Sequence, residues 1–141
     1  MDAVILYESL TGTTHRAAQL IGDGFYDHQI GTQLFNVNAV DPDAVAAADL
    51  VIVGTWTDGI LIVGQKPARK KKLKALPRLD GKPCLVYCTY AIHPGNTIKK
   101  LTKIVGEDLG GNVLGGLTIR RDHLEEDTAA FVAGAVEAIV K

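Results

Sequence analysis

Six residues near the amino terminus combine hydroxyl side chains with a glycine, between a short apolar run and an amphipathic segment. These residues are Ser9, Leu10, Thr11, Gly12, Thr13 and Thr14. The first turn of a helix has unpaired N–H groups and a partial positive charge, so it stabilises a bound phosphate without a lysine. Gly12 permits close approach of the backbone to such a group. The pattern favours a phosphate-binding loop, but the same composition is typical of a loop that only caps a helix.

Two further polar loops carry aromatic residues, one predicted at residues 55–66 after the apolar run at 50–53 and one at residues 89–96 after the run at 84–88. An aromatic face supplies dispersion to a flat ring system, while backbone groups of the loop supply hydrogen bonds to its edge. The candidate binding residues are Thr55, Trp56, Thr57, Asp58 and Gly59 in the first loop and Thr89, Tyr90, Ala91 and Gly95 in the second. The alternatives are that Trp56 packs beneath its own loop and that Tyr90 is structural, at the base of its loop.

Strands and helices that would position these loops alternate five times along the chain. Short apolar runs predict strands near residues 4–7, 32–37, 50–53, 84–88 and 113–119. Amphipathic segments predict the helices between them, with Thr13 or Thr14 as the candidate cap of the first, and with Asp41 as N-cap and Pro42 at the first position of the second. The alternation predicts an α/β fold with a parallel sheet covered by helices on both faces. We expect residues 1–141 to form one domain, with the ligand at the carboxyl ends of the strands.

The segment 5–21 carries a more specific signal than its hydroxyl content. The spacing of the flavodoxin phosphate signature is met by Ile5, Leu6, Tyr7, Ser9, Gly12, Thr14, Ala18 and Ile21. The chain therefore resembles the flavodoxin family, and its length and element order resemble the short-chain members. The resemblance implies a flavodoxin-like three-layer α/β/α sandwich, a five-stranded parallel sheet in the order 2-1-3-4-5, and non-covalently bound FMN. It also implies that Trp56 stacks on the flavin, with Tyr90 as the candidate for the other ring face.

Two features depart from the family pattern. Thr57 stands where the family commonly has a glycine after the aromatic residue, and a β-branched residue resists positive φ. Flavodoxins are typically acidic, whereas this chain has a formal net charge of −1 and a block of basic residues without an acid. That block comprises Lys66, Arg69, Lys70, Lys71, Lys72 and Lys74, on a helix predicted to run from Pro67 to about Leu76.

A basic run is usually a solvated helix face. The alternative is a docking surface beside the flavin for an acidic redox partner, or for the phosphates of a pyridine nucleotide. We expect redox partner proteins to dock at Lys66, Arg69, Lys70 and Lys71.

Composition argues against several classes of protein. The near-zero net charge provides no broad attraction to nucleic acid, and no apolar run approaches the roughly 20 residues of a membrane span. The amino terminus lacks the basic and apolar regions of a signal peptide. Cys84 and Cys88 lie in one predicted strand, roughly 13 Å apart at strand rise, which is too far for a disulfide. We therefore expect a cytoplasmic protein with free thiols and no bound metal.

The leading functional hypothesis is an electron carrier that shuttles electrons through FMN, without catalytic side chains of its own. The alternative is an FMN-dependent NAD(P)H:quinone-type oxidoreductase, in which the stretch Ile60-Leu61-Ile62-Val63 would line a substrate pocket. A flavin-free signalling receiver is disfavoured, because the third strand ends in Gly54-Thr55 and not in a phospho-acceptor aspartate.

Overall fold

Strands and helices alternate along the computed structural model, which describes residues 1–60 and 63–140. The elements are β1 Asp2–Tyr7, α1 Thr13–Tyr26, β2 Gly31–Asn36, α2 Pro42–Ala47, β3 Leu50–Ile60, β4 Val63–Pro67, α3 Lys70–Lys74, β5 Pro83–Tyr90, α4 Thr97–Lys103, β6 Asn112–Arg120 and α5 Leu124–Val140. A π-helical turn, Ile104–Asp108, continues α4.

The central sheet has the order β2-β1-β3-β5-β6, and all of these strands pair in parallel. Apart from the additional β4, this is the predicted order 2-1-3-4-5, so the flavodoxin-like α/β/α prediction is confirmed. The order reverses between β1 and β3, which places a topological switch point beside the hydroxyl-rich loop.

Alternating side chains of the buried strands build two cores, one on each face of the sheet. In β1, Ile5 belongs to the core beneath α1 and α5, whereas Leu6 belongs to the core beneath α3 and α4. Phe25 and Phe131 fill the first core from the helix side, and Leu101 fills the second. Because both faces are covered, the carboxyl edge of the sheet remains the place for a ligand cleft.

The predicted loop over residues 55–66 is wrong. β3 continues to Ile60 and pairs antiparallel with β4, with Asp58 opposite Lys66 and an irregular register next to Gly59. The β-branched and aromatic residues after Gly54 favour this extended backbone once a partner strand is present. Leu61 and Ile62 lie outside the described residues, so the predicted pocket-lining stretch 60–63 is not described as a whole.

The predicted boundaries of the basic helix are also wrong. Pro67 belongs to β4, and α3 begins only at Lys70, after Arg69 with φ +59°. A residue in the left-handed region cannot continue a right-handed helix, so α3 has only five residues. The basic block is consequently divided between a strand, a turn and a short helix.

The N-cap residue of α2 agrees with the sequence prediction, whereas the N-cap residue of α1 does not. Asp41 caps α2 as predicted, since its Oδ1 accepts a hydrogen bond of 3.0 Å from the Asp43 N–H. The prediction that Thr13 or Thr14 caps α1 is wrong, because Gly12 holds the N-cap position at φ +95°. Gly12 turns the chain in a conformation that a β-branched residue disfavours, and both threonines therefore fall inside the helix.

Cys84 and Cys88 are buried, free thiols in β5. Burial raises the pKa of each thiol to about 11, so both remain protonated and unreactive near neutral pH. In the part of the chain that the structure describes, no helix is long and apolar enough to cross a membrane.

Candidate functional site

A cleft of about 160 Å³ opens at the carboxyl edge of the sheet, beside the switch point. Its lining consists of Leu10, Thr11, Thr13, Thr14, Trp56, Thr57, Thr89, Tyr90, Ala91 and Arg121. All of these except Arg121 are binding candidates from the sequence. They are contributed by the loop after β1 and the start of α1, by the extension of β3, and by the end of β5 with the loop that follows it. The sheet order brings together residues that are 80 positions apart in the chain.

The remaining sequence candidates lie around the cleft and not in its lining. Ser9 and Gly12 form the turn itself, since the Ser9 Oγ accepts a hydrogen bond of 3.0 Å from the Gly12 N–H. Thr55 is buried, and its hydroxyl donates to the Ala68 carbonyl at 3.0 Å. The others are Asp58 and Gly59 in the β3–β4 hairpin and Gly95, which packs against Gln65.

The start of α1 is held in place by contacts with β5. The hydroxyls of Thr14 and Thr89 are 3.0 Å apart in the interior, and the Tyr87 hydroxyl donates to the Thr14 carbonyl at 2.9 Å. The hydroxyls of Thr11 and Thr13, 3.4 Å apart, line the cleft beside the first helical turn, where the His15 N–H donates to the Ser9 Oγ at 3.4 Å. Hydroxyls and N–H groups at a helix start are donors of the kind that bind a phosphate.

Two aromatic residues line the cleft away from this helix start. Trp56 and Tyr90 are both half-buried, and the Trp56 carbonyl accepts a hydrogen bond of 2.9 Å from the Ala68 N–H. The Trp56 Nε1 is buried and has no hydrogen-bond partner among the described residues. An unpaired buried donor costs about 1–3 kcal/mol. The two aromatic side chains give the cleft flat apolar surface, which suits a planar ligand.

Arg121 is the lining residue that the sequence predictions missed. It directly follows β6, and its N–H donates to the Tyr90 carbonyl at 2.8 Å. The loop after β6 has no motif that marks it. Only the topology could have indicated Arg121. In a parallel sheet the carboxyl end of the last strand lies beside the carboxyl ends of β1, β3 and β5, so the residue after it can reach the same cleft.

A buried carboxylate connects the hydroxyl-rich loop to the basic block. The Glu8 side chain is only 6% exposed, and its Oε1 lies 3.7 Å from the Nε of Arg69, which is 49% exposed. The Glu8 N–H donates to the Gly54 carbonyl at 3.0 Å. Arg69 therefore contributes to holding the end of β1 against the turn before α3, in addition to the docking role predicted for it.

The fold and the cleft define a doubly wound α/β protein with a cleft at the carboxyl ends of its strands, the place where such folds bind ligands. A family model described as a flavodoxin domain matches residues 4–116. The chain belongs to this flavodoxin family, which confirms the resemblance seen in residues 5–21.

Solved flavodoxins are similar to this chain over their whole length. A flavodoxin from the domain Archaea has 19% identity and a TM-score of 0.71, with 98% of this chain and 99% of that chain covered. Oxidised flavodoxin 1 from Bacillus cereus has 17% identity and a TM-score of 0.72, with 97% and 98% covered. The flavodiiron protein from Giardia intestinalis has 20% identity and a TM-score of 0.69, and the match covers 99% of this chain but 36% of that chain. No curated protein sequence matches this chain significantly.

Proposed function

We propose that this protein binds FMN non-covalently in the cleft and carries electrons between redox partners. The observation that carries this proposal is the joint lining of one cleft by the hydroxyl-rich start of α1 and by Trp56 and Tyr90. When bound, FMN supplies the redox chemistry.

Different residues of the cleft bind the phosphate and the ring of FMN. Thr11, Thr13 and the first-turn N–H groups of α1 bind the phosphate and neutralise its charge. Trp56 and Tyr90 supply flat apolar surface for the ring. The hydrogen bonds of Thr14 to β5 keep the helix start fixed relative to the aromatic residues, so little order has to be acquired on binding.

Titration of the purified protein with FMN tests this function. We expect a yellow holoprotein, quenching of flavin fluorescence, and a dissociation constant in the micromolar range or below. Riboflavin, which lacks the phosphate, should bind about 10- to 100-fold more weakly, because the charge-assisted bonds to the helix start are absent. A colourless protein that takes up no FMN at micromolar concentrations would refute the proposal.

A reductase that uses NAD(P)H is the other function the sequence allowed. No contact among the described residues favours it over the carrier. Rapid bleaching of bound flavin by NADPH in a stopped-flow experiment would contradict the carrier and support the reductase.

We further propose that the partner docks on the basic patch, defined as Lys66, Arg69, Lys70 and Lys71, and that its docking surface is acidic. The three lysines are exposed, and Lys66 lies opposite Asp58 in the hairpin that extends from Trp56. α4 packs against β4, and the Lys100 ammonium donates to the Gln65 carbonyl at 2.8 Å, which brings further lysines to this side. Asp80 is the only acid between residues 66 and 103, so the patch attracts anionic surfaces.

The rates of reaction with small charged oxidants measure the electrostatic attraction of the basic patch, and no partner protein is needed. We expect the reduced FMN-loaded protein to react faster with ferricyanide as salt is lowered, and more slowly with the cation hexaammineruthenium(III). Lys66→Glu should slow the ferricyanide reaction about 3- to 10-fold at low salt. Arg78→Glu makes the same charge change, but Arg78 precedes the amino end of β5, away from the cleft at the carboxyl ends of the strands. This variant should therefore have a smaller effect. Equal rates for all three proteins would exclude the patch as a docking surface.

A further inference from the structure

Arg121 is the only charged side chain in the described lining of the cleft. The other lining residues carry hydroxyl, apolar or aromatic side chains. Asp58, the acid nearest to Trp56 in the sequence, is exposed and does not belong to the lining. The electrostatic character of the cleft therefore depends on one arginine.

The sheet order puts Arg121 at the end of the cleft opposite the hydroxyl-rich loop. That loop follows β1, whereas Arg121 follows β6, and β3 and β5 lie between these two strands. Three steps of about 4.8 Å between neighbouring strands separate the two ends by about 14 Å. A ligand with its phosphate at Thr11 and Thr13 must extend its ring toward Trp56, Tyr90 and Arg121.

The backbone at Arg121 is fixed, while its guanidinium is available. The Arg121 N–H donates to the Tyr90 carbonyl, and the neighbouring Arg120 N–H donates to the Asp127 carboxylate at 2.9 Å. Arg120 also forms an ion pair of 2.8 Å with Asp122. Within residues 1–60 and 63–140, the Arg121 guanidinium has no such ion pair, so its charge is not compensated by a direct partner.

We propose that Arg121 makes the cleft selective for the reduced form of the cofactor, an inference that rests on the proposed binding of FMN. Two electrons and one proton from a reductant convert the neutral oxidised ring into a ring with one additional negative charge. A cation at the ring end of the cleft stabilises this added charge and has little effect on the neutral oxidised ring. Arg121 thus raises the affinity for reduced FMN relative to oxidised FMN and, by linkage, raises the two-electron potential.

The test compares Arg121→Gln with Arg120→Gln, which removes the same charge from the adjacent, ion-paired arginine. FMN dissociation constants are measured for the oxidised protein and, anaerobically, after reduction with dithionite. We expect Arg121→Gln to weaken binding of reduced FMN about ten-fold more than binding of oxidised FMN, which lowers the two-electron potential by about 30 mV. Arg120→Gln should leave this ratio unchanged, and Arg121→Lys should retain most of it.

The outcomes separate this inference from the function on which it rests. If Arg121→Gln weakens both redox states equally, or neither, while the wild-type protein binds FMN, the selective role is overturned and the proposed function stands. If the wild-type protein fails to bind FMN, both are overturned. Thermal unfolding of the apoprotein should be unchanged by Arg121→Gln, because Arg121 is exposed and its backbone bond is retained.

Discussion

Replacing Gly54 by alanine is expected to lower the free energy of unfolding by about 3 kcal/mol or more. A Cβ at this position in β3 would lie 2.0 Å from the Cζ of Tyr87 and 2.5 Å from its hydroxyl oxygen. Tyr87 is fully buried, and its ring packs edge-on against Phe131 at a centroid distance of 6.0 Å. β3 pairs with β1 and β5 on its two sides, so neither the backbone nor the ring has room to move.

The clash at Gly54 also affects the cleft. Tyr87 can move away only by giving up its hydrogen bond to the Thr14 carbonyl, which holds the start of α1. We therefore expect Gly54→Ala to weaken FMN binding in whatever fraction of the protein remains folded. The Tyr87→Leu exchange in the same chain should recover part of the lost stability, because it removes the atoms that the new Cβ meets.

Urea unfolding followed by circular dichroism measures this effect. Gly134→Ala is the matched control, since a Cβ at Gly134 in α5 meets no atom within 4 Å. Alanine there should leave stability unchanged or raise it by about 0.5–1 kcal/mol through its higher helix propensity. Equal stability of the Gly54→Ala and wild-type proteins would contradict the packing described for β3 and β5.

Truncation of both aromatic side chains of the cleft, Trp56 and Tyr90, should reduce the affinity for FMN more than any other pair of truncations in the cleft. Stacking of a planar base on an aromatic side chain contributes about 1–3 kcal/mol. On this scale, Trp56→Ala and Tyr90→Ala should each weaken FMN binding about 5- to 150-fold, and the double variant should bind too weakly for micromolar titration. Each residue is half-buried, so we expect the variants to remain folded.

Conservative variants distinguish stacking from hydrogen bonding. Tyr90→Phe keeps the flat surface and should bind like the wild-type protein, whereas Trp56→Phe has a smaller ring face and should be intermediate. Tyr26→Ala truncates an aromatic residue that is 78% exposed at the end of α1, outside the cleft, and should have no effect. If Trp56→Ala and Tyr90→Ala both bind FMN with wild-type affinity, the ring does not lie between these residues.

The parts of the molecule that local sequence specifies were predictable. The run Val4-Ile5-Leu6-Tyr7 followed by hydroxyl residues, Gly12 and an amphipathic segment predicted β1, the loop and α1, because strand, turn and helix preferences act over neighbouring residues. The parallel sheet with helices on both faces followed from the alternation of such units. The family resemblance supplied the strand order.

Other features depend on contacts between distant residues and had no signal in any one segment. The extension of β3 to Ile60 requires the partner β4, so local sequence alone predicts a loop over residues 55–66. The buried pair of Glu8 with Arg69 depends on the turn before α3, and Arg121 reaches the cleft because β6 lies beside β5.

The hydroxyl-rich loop, the aromatic residues and the sheet order were therefore readable from the chain. The close packing of Gly54 on Tyr87 and the presence of the Arg121 charge in the cleft depend on long-range strand pairing. Pairing of distant strands sets which side chains meet, and no local preference encodes that choice.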